Sequence, residues 1–227
     1  MKVLVLGASR GIGLEFVRQY LADGADVIAT ARDDEGLQRL KGLGAKALRL
    51  NVAEPASISG LAWLLDGEEI DIALYVAGVF PRGGALTPPT REAFDQAMHT
   101  NVLGAMQAIP QVAPMVEASR MGGGGRGRFA FISSALSQIA GADSSHGWVY
   151  RASKAALNMA VASAQHDYPK AIMVALSPGW VQTDMGGQDA PLTVEQSVTA
   201  MRATLAGLKP EHKGAFLDYD GRLFGAW

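Results

Sequence analysis

The chain has 227 residues, 48% of them hydrophobic and 19% charged, a composition that excludes an intrinsically disordered protein. Its formal net charge of −2 gives no electrostatic reason to expect nucleic acid or an acidic membrane surface as a partner. With no cysteine, no leader pattern before the first predicted strand and no apolar run near the roughly 20 residues that span a bilayer, we expect a cytoplasmic protein without disulfides or a membrane span.

Short apolar runs alternate with helical patterns along the chain. The predicted strands cover residues 2–6, 26–29, 45–50, 70–76, 128–133, 171–176 and 215–218. The predicted helices cover residues 11–22, 35–43, 56–65, about 90–119, 150–166 and 193–206. Near-continuous apolar strands between helices indicate a parallel sheet covered on both faces. Right-handed crossovers then favour a single-domain, doubly wound α/β fold with about seven strands.

The glycine-rich stretch GGGGRG at residues 122–127 lies between a predicted helix and a predicted strand. Because it is too short to be a linker, we interpret it as a flexible surface loop rather than a domain boundary. One domain covering residues 1–227 is therefore expected.

The segment GASRGIG, which begins at Gly7, permits two interpretations. G-x-S-x-G is the strand-to-helix elbow of α/β-hydrolases, which would make Ser9 the reacting residue. Gly7, Gly11 and Gly13 also suit a turn that brings backbone amides close to a dinucleotide diphosphate at a helix N-terminus. The hydrolase interpretation fails on position. Too little chain precedes the turn to supply an oxyanion-hole loop, and only His212 follows late enough in the chain to be the histidine of a catalytic triad. The glycine spacing alone remains weak evidence for a dinucleotide.

A second group of residues supports the dinucleotide interpretation. Tyr150 and Lys154 share one face of a predicted helix, where a lysine cation can stabilise a phenolate. The segment FISSALS ends a predicted strand with a serine pair, and open α/β sheets bind ligands at the carboxyl ends of strands. A serine hydroxyl there could hydrogen-bond to a carbonyl oxygen that the tyrosine protonates. Each feature is common alone, but their joint occurrence behind a glycine turn indicates a reaction site.

The chain resembles the short-chain dehydrogenase/reductases over essentially its full length. The resemblance is carried by GASRGIG at 7–13, NV at 51–52, AG at 77–78, NVLG at 101–104, ISS at 132–134, YRASK at 150–154 and SPGWVQTDM at 177–185. The segments YRASKAALNM and PGWVQTDMGG, with the ending GAFLDYDGRLFGAW, are most similar to the C-factor and sniffer-type carbonyl reductase branch. This resemblance implies a Rossmann-type fold whose N-terminal half binds the cofactor and whose C-terminal half binds substrate and carries catalysis.

The resemblance also implies four catalytic residues. Tyr150 would be the general acid/base, and Lys154 would adjust the pKa of Tyr150 and bind the cofactor ribose. Ser134 would orient the substrate carbonyl, and Asn101 would hold a water that relays protons through Lys154. The reaction would be hydride transfer between a nicotinamide cofactor and a small-molecule carbonyl or alcohol substrate.

The same resemblance implies which residues contact the cofactor, and the backbone of several of them would line the nicotinamide. The expected contacts are Gly7, Ser9, Arg10, Gly11, Ile12, Gly13, Arg32, Asn51, Val52, Ala77, Gly78, Tyr150, Lys154, Pro178, Gly179, Val181 and Thr183. No metal is expected, because the histidines lack the spacing and the carboxylate neighbours of a metal site.

The choice between the two nicotinamide cofactors depends on the residues after the second predicted strand. NAD enzymes of this fold place an Asp or Glu there, about 20 residues past the glycine motif, to bind the ribose 2′-hydroxyl. Ala31 occupies that position, Arg32 follows it, and Arg10 lies within the glycine turn. Because a guanidinium binds a 2′-phosphate with charge assistance, we predict a preference for NADP(H) over NAD(H), with Arg32 as the main discriminator.

Two functions remain open at this point. The first is an NADP(H)-dependent carbonyl reductase or alcohol dehydrogenase; the second is a dinucleotide-binding signalling or regulatory protein, like C-factor, with little activity. The intact catalytic set favours the enzyme, because a binding protein has no chemical need for a polarised tyrosine. By resemblance, the helices at 90–119 and 150–166 would form the interface of a homodimer or homotetramer, although their periodicity fits ordinary covering helices equally well.

Three positions depart from the family pattern. Leu6 replaces the usual Thr before the first glycine, Val76 replaces the Asn of an N-A-G turn, and Asn51 stands where an Asp near the adenine is usual. The segment between Ser134 and Tyr150 is also a few residues longer than the commonest spacing. None of these departures changes a catalytic side chain, but the longer segment is expected to reshape the substrate pocket.

Overall fold

The computed structural model describes residues 1–120 and 126–227. Residues 121–125 lie outside the described part. They include most of the glycine-rich stretch that the sequence predicts to be a surface loop. Within the two described ranges, no helix is both long enough and apolar enough to cross a membrane.

In the described ranges, seven parallel strands form one sheet in the order β3-β2-β1-β4-β5-β6-β7. The strands are β1 (Lys2–Leu6), β2 (Asp26–Ala31), β3 (Lys46–Arg49), β4 (Ile72–Tyr75), β5 (Arg128–Ile132), β6 (Ile172–Ser177) and β7 (Phe216–Asp218). The chain moves outwards from β1 to β3 and then returns to place β4 on the other side of β1. The order therefore reverses between β1 and β4, and their carboxyl ends flank the crevice where doubly wound sheets bind ligands.

The α-helices cover both faces of this sheet. They are α1 (Gly11–Ala22), α2 (Asp34–Gly42), α3 (Pro55–Ile58), α4 (Leu61–Leu64), α5 (Arg91–Met98), α6 (Gly104–Glu117), α7 (Trp148–Ala164) and α8 (Val194–Ala206). Apolar side chains of α1, α2 and α8 form one core with the sheet, and those of α3, α4, α6 and α7 form a second core on the opposite face. The doubly wound α/β fold predicted from the sequence is confirmed.

Strand β1 shows why the predicted strands are apolar without alternation. Val3 and Val5 pack into the core beneath α1, while Leu4 and Leu6 point the other way into the core beneath α6. Because successive strand side chains point to opposite faces, a strand that is covered on both faces needs apolar residues at every position. Each such fully buried side chain stabilises the fold by about 1.5–3 kcal/mol.

The single helix predicted over residues 56–65 is wrong. The chain instead forms two one-turn helices, α3 and α4, with a break at Ser59 and Gly60. The Ser59 hydroxyl donates to the Ala56 carbonyl at 2.9 Å, a local bond that competes with continued helical pairing. Gly60 follows, and its high backbone entropy further weakens the helix at this point.

The helical segment predicted from about residue 90 to residue 119 is present, but it is not one regular α-helix. A π-helical turn, His99–Leu103, separates α5 from α6. The Thr100 carbonyl in this turn accepts a hydrogen bond of 2.6 Å from the buried Tyr75 hydroxyl. Gly104 follows against the same hydroxyl, which would lie only 2.5 Å from a Cβ at that position. The wider turn points the Asn101 side chain towards the end of β4, as π turns at functional sites often do.

Replacing Tyr75 by Phe is expected to lower the free energy of unfolding by about 1–3 kcal/mol, because the buried Thr100 carbonyl loses its phenol donor. Urea denaturation followed by far-UV circular dichroism measures the change. Tyr168→Phe is the matched control, since this half-exposed side chain loses a hydroxyl where water can replace any bond. Equal stability of the Tyr75→Phe variant and the native chain would contradict the role of this bond.

Candidate active site

A cleft of about 380 Å³ opens at the carboxyl ends of the central strands. Of the residues predicted for the site, the cleft is lined by Gly7, Arg10, Gly11, Ile12, Gly13, Gly78, Tyr150, Lys154, Pro178 and Thr183. The remaining predicted residues, among them Asn101 and Ser134, are not among those that line the cleft. The cleft therefore joins the glycine turn after β1 to the tyrosine and lysine of α7.

Two glycines of the turn after β1 are fixed by close backbone packing. Gly7 has a φ of +89°, and a Cβ there would lie 2.7 Å from the backbone nitrogen of Ala77. A Cβ on Gly13 would lie 2.3 Å from the Gly7 carbonyl oxygen. Side chains at either position would push α1 away from the ends of β1 and β4, so the turn requires glycine here.

The amino terminus of α1 is open towards the cleft. Asp33, Thr90 and Thr193 cap α2, α5 and α8, but among the described residues no side chain caps α1, and its first turn carries no acidic residue. A Cβ on Gly11 would make only an ordinary contact, 3.7 Å from the Thr183 methyl group. The first amides of α1 and the positive end of its dipole therefore suit an anion such as a diphosphate.

Two arginines form polar contacts at the glycine turn. Arg39 of α2 donates to the Ser9 carbonyl at 2.5 Å. Arg10 forms an exposed ion pair of 2.8 Å with Asp184, in the loop after β6. From the sequence Arg10 is expected to contact the cofactor, whereas in this structure its guanidinium faces the loop after β6. The contact of Arg39 was missed, because no local spacing relates Arg39 to Ser9 across the intervening strand.

Arg32 follows the last residue of β2, with 68% of its side chain exposed. Asp33 beside it caps α2 by accepting from the Gly36 amide at 2.8 Å, and its second oxygen lies 3.9 Å from the Arg32 guanidinium. Asp34 is paired with Arg49. Since both neighbouring carboxylates have other partners, the positive charge of Arg32 is only weakly compensated at the sheet edge.

Asn51 and Val52 lie after β3, behind the cleft. The Asn51 amide donates to the Glu54 carboxylate at 2.8 Å, and its oxygen accepts from the Ala53 backbone at 3.2 Å. Val52 is buried, and its carbonyl oxygen lies against Gly104 at the start of α6. These bonds fix the loop after β3. Because this loop does not line the cleft, any contact between the loop and an adenine would come from the exposed surface of the loop.

Asn101 joins the end of β4 to α7. Its oxygen accepts from the Val79 amide at 2.8 Å, and its nitrogen donates to the Val79 carbonyl and to the Ser153 hydroxyl, each at 2.9 Å. The Ser153 hydroxyl in turn donates to the Tyr150 carbonyl at 2.8 Å. A Cβ on Gly78 would lie 3.4 Å from both the Asn101 oxygen and the Lys154 nitrogen. The small size of Gly78, after the predicted contact Ala77, therefore keeps the space between these groups open.

Tyr150 and Lys154 are buried side by side on α7, with 6% and 3% of their surfaces exposed. The Lys154 nitrogen lies 5.7 Å from the centre of the Tyr150 ring and donates to the Ile132 carbonyl at 2.6 Å. The Phe80 ring packs on Tyr150, with 4.6 Å between ring centres. Little of either side chain is therefore exposed to water, although both line the cleft.

Burial moves the pKa values of these two groups in opposite directions. It raises the pKa of Tyr150 to about 12, an effect that a hydrogen bond with Ser134 partly offsets, and it lowers the pKa of Lys154 to about 7. From the sequence the charge of Lys154 is expected to lower the pKa of Tyr150, whereas in the structure the burial of Tyr150 has the larger effect and raises it. At neutral pH the phenol is therefore protonated and ready to donate.

Ser134 follows β5 at the start of a 3₁₀ turn, Ala135–Ser137. Its hydroxyl oxygen accepts from the Leu136 amide at 3.2 Å, and its side chain is near enough to Tyr150 to lower the pKa of that phenol. The longer segment that follows ends at Gly147, whose φ is +66° and whose amide donates to the Gly83 carbonyl at 2.7 Å. A Cβ on Gly147 would lie 2.7 Å from the Phe80 ring. The longer segment is thus held against the ring that covers the tyrosine.

The loop after β6 forms the other wall of the cleft. The Pro178 carbonyl accepts from Ser197 of α8 at 2.6 Å, and Gly179 has a φ of +76° beside the Tyr219 ring. Val181 is buried and pairs with Leu192 through a short parallel bridge. The Thr183 hydroxyl oxygen accepts from the Gly186 amide at 3.0 Å. These contacts fix the loop that bears the predicted nicotinamide contacts.

Several residues of this region were not identified from the sequence. Ser153 and Asn158 lie three and eight positions after Tyr150, so they share its helix face, and that spacing was the available signal. Ser137 and Arg39 have no comparable local signal. Within residues 1–120 and 126–227, no cluster of three or more His, Asp or Glu side chains is placed to hold a metal ion.

The chain is similar in sequence to known proteins. The family model described as short chain dehydrogenase matches residues 1–191. The chain is 37% identical to C-signal of Myxococcus xanthus over 154 residues, which are 67% of this chain and 90% of that protein. It is 31% identical to the 3-oxoacyl-(acyl-carrier-protein) reductase FabG of Escherichia coli over 189 residues, which are 80% of this chain and 74% of that protein.

Two solved structures are similar over the whole chain. An NADPH-bound carbonyl reductase from chicken fatty liver has a TM-score of 0.89 and 32% identity, covering 100% of this chain and 98% of that one. The carbonyl reductase Sniffer of D. melanogaster has a TM-score of 0.90 and 27% identity, covering 100% and 99%. The predicted resemblance, including its C-factor and sniffer-type branch, is confirmed. The chain belongs to the short chain dehydrogenase family of oxidoreductases.

Proposed function

We propose that this protein is an NADP(H)-dependent oxidoreductase that reduces a small-molecule carbonyl compound and oxidises the corresponding alcohol. The observation that carries the proposal is a side-chain set, Asn101, Ser134, Tyr150 and Lys154, gathered beside a cleft into which an uncapped helix opens. The similarity to a carbonyl reductase described as NADPH-bound supports the same reaction class.

The residues present fit a nicotinamide dinucleotide phosphate. The uncapped amides of α1 suit its diphosphate, and the exposed guanidinium of Arg32 suits a 2′-phosphate. When bound, the cofactor supplies or accepts the hydride. The residues that would hold it are Gly7, Ser9, Arg10, Gly11, Ile12, Gly13, Arg32, Asn51, Val52, Ala77, Gly78, Tyr150, Lys154, Pro178, Gly179, Val181 and Thr183. The N-terminal half of the chain thus provides most of the binding surface, and the C-terminal half provides most of the reacting groups.

Ser134 and Tyr150 act together on the substrate oxygen in this proposal. Because the Ser134 side chain lies near the Tyr150 phenol, one substrate oxygen can accept from both hydroxyls. Ser134 then fixes the carbonyl, and the protonated phenol of Tyr150 donates its proton as charge develops on the oxygen.

Lys154 and Asn101 return a proton to the tyrosine. The phenolate left by proton transfer is stabilised by the neighbouring Lys154 nitrogen. A pKa of about 7 allows this nitrogen to exchange a proton near neutrality, as a relay requires. The space beside Gly78, between Asn101 and Lys154, provides the position for a relaying water.

A dinucleotide-binding regulatory protein with little activity is the alternative, and the identity with C-signal is its support. We favour the enzyme, because a serine beside the buried Tyr150 phenol serves proton transfer and is not needed for dinucleotide binding. A panel of aldehydes, ketones and quinones with NADPH, followed at the nicotinamide absorbance, separates the two functions. NADPH binding without turnover across the whole panel would favour the regulatory protein.

Tyr150→Phe is expected to reduce turnover of the best substrate in that panel by about 10²–10⁴-fold, because the proton donor is removed. Its dissociation constant for NADPH is expected to change little, since the ring and its packing on Phe80 are retained. Steady-state kinetics and fluorescence titration measure the two quantities, with Tyr168→Phe as the control. Turnover at the native rate would refute the assignment of Tyr150.

The pH dependence of the two directions is expected to differ below about pH 7, where Lys154, with a pKa of about 7, keeps its charge and where Tyr150 is far below its pKa of about 12. The phenol form needed for reduction is nearly fully populated there, so kcat/KM for carbonyl reduction is expected to stay flat. The phenolate needed for alcohol oxidation increases about tenfold per pH unit, and kcat/KM for oxidation should follow. The reverse partition, with a flat oxidation profile and a falling reduction profile, would mean that Tyr150 is already ionised.

Arg32→Ala is expected to weaken NADPH binding at least tenfold, because a charge-assisted hydrogen bond contributes about 1.5–3 kcal/mol. NADH binding is expected to change little, since NADH lacks the 2′-phosphate. Dissociation constants for both cofactors, on the native chain and on the variant, provide the measurement. Arg91→Ala, an exposed arginine of α5, is the control. Native NADH binding as tight as that of NADPH would exclude the proposed preference.

A further inference from the structure

A chain of buried hydrogen bonds connects α7 to the turn that bears Ser134. Its members are Ser133, Ser137 and Asn158, with 1%, 3% and 1% of their surfaces exposed. The Ser133 hydroxyl donates to the Asn158 oxygen at 2.5 Å, and the Asn158 nitrogen donates to the Ser137 hydroxyl oxygen at 2.8 Å. The Ser137 hydroxyl then donates to the Ser134 carbonyl at 2.6 Å. Every bond in this chain therefore has a defined direction.

The position of Asn158 explains what the chain of bonds holds in place. Tyr150, Lys154 and Asn158 are spaced four residues apart, so they lie along one face of α7. The side chain of Ser134 lies near Tyr150 at one end of this face, and its backbone carbonyl is connected through the Ser137 hydroxyl to Asn158 further along. Ser134 is thus attached through Ser137 to the same helix that bears Tyr150.

A buried asparagine is a costly way to fill space, because every polar atom needs a partner and an apolar side chain needs none. Asn158 faces the carboxyl end of β5, at Ser133, next to the helix face that bears the reacting groups. Of the residues that Asn158 contacts, Ser137 also donates a hydrogen bond to the backbone carbonyl of Ser134. Its amide group therefore has an orienting role that packing alone would not require.

We propose that Asn158 is a positioning residue, which acts through Ser137 to hold Ser134 at the substrate carbonyl. The inference rests on the proposed function, because it assigns Asn158 to the reaction in which Ser134 orients the substrate. Asn158 itself touches neither substrate nor cofactor. Its loss frees the Ser137 hydroxyl, so the 3₁₀ turn keeps its backbone bond from the Ser137 amide to the Ser134 carbonyl but loses its anchor on α7, and Ser134 is less firmly placed beside Tyr150.

The direct test is Asn158→Leu, which keeps a similar volume and removes both amide bonds. Turnover of the best carbonyl substrate is expected to fall about 10- to 100-fold, since a small misplacement of a positioning group has effects of this size. The NADPH dissociation constant is expected to stay within twofold, a range of about 0.4 kcal/mol. Gln165→Leu is the matched control, because it removes a buried amide from the segment that follows α7 without touching the Ser134 turn.

A double-mutant cycle separates positioning from a general loss of structure. If Asn158 acts through Ser134, the combination of Ser134→Ala with Asn158→Leu will be no slower than Ser134→Ala alone. Ser137→Ala provides a second route, because it removes the side-chain donor to the Ser134 carbonyl with a minimal change in volume and leaves only the 2.9 Å bond from the Ser137 backbone amide. Ser137→Ala is expected to reproduce the loss of turnover even where Asn158→Leu does not fold.

The outcomes distinguish this inference from the function on which it rests. Slow Ser134→Ala with native turnover of Asn158→Leu and Ser137→Ala would overturn the positioning role and leave the proposed function standing. Multiplicative losses in the double variant would also overturn it, because Asn158 would then act independently of Ser134. Native turnover of Ser134→Ala would instead remove the role of Ser134 in the proposed function, and the inference with it.

Discussion

Helix α7 brings the phenol of Tyr150, the amine of Lys154 and the amide of Asn158 into the interior, at the carboxyl ends of β4 and β5. Much of the site depends on which groups form hydrogen bonds with these buried side chains. Burial disfavours charge, so the pKa of Tyr150 is raised to about 12 and that of Lys154 is lowered to about 7. Lys154 is held by the Ile132 carbonyl at the end of β5, and Asn158 is held by two serines. The cost of burying these groups is offset by the apolar cores on both faces of the sheet.

Irregular backbone supplies the partners that regular elements do not offer. The π turn before α6 places Asn101 against the end of β4 and links it through Ser153 to α7. The 3₁₀ turn after β5 places Ser134 beside Tyr150. Both turns follow directly from the ends of elements whose position the sheet fixes, so the reacting groups are held on rigid supports.

The cleft itself exists because side chains are missing where strands and helix meet. Gly7 and Gly13 allow α1 to begin almost in contact with the end of β4, and Gly78 keeps open the space between Asn101 and Lys154. The resulting surface offers helix amides on one side and buried hydroxyl and amine groups on the other. This combination suits an anionic cofactor whose reactive end lies next to a proton donor.

The sequence by itself determined the fold class, the family and the four candidate catalytic residues, because these depend on local periodicity and on short segments such as GASRGIG and YRASK. Only the tertiary structure decided the break at Ser59, the π turn, the pairing of Arg10 with Asp184 and the bonds of Asn158. Each of these depends on a competition between local bonds, or on contacts between residues far apart in the chain. Hydrophobic spacing specifies which face of an element is buried, but the partner that a buried polar group finds is set by how the elements pack.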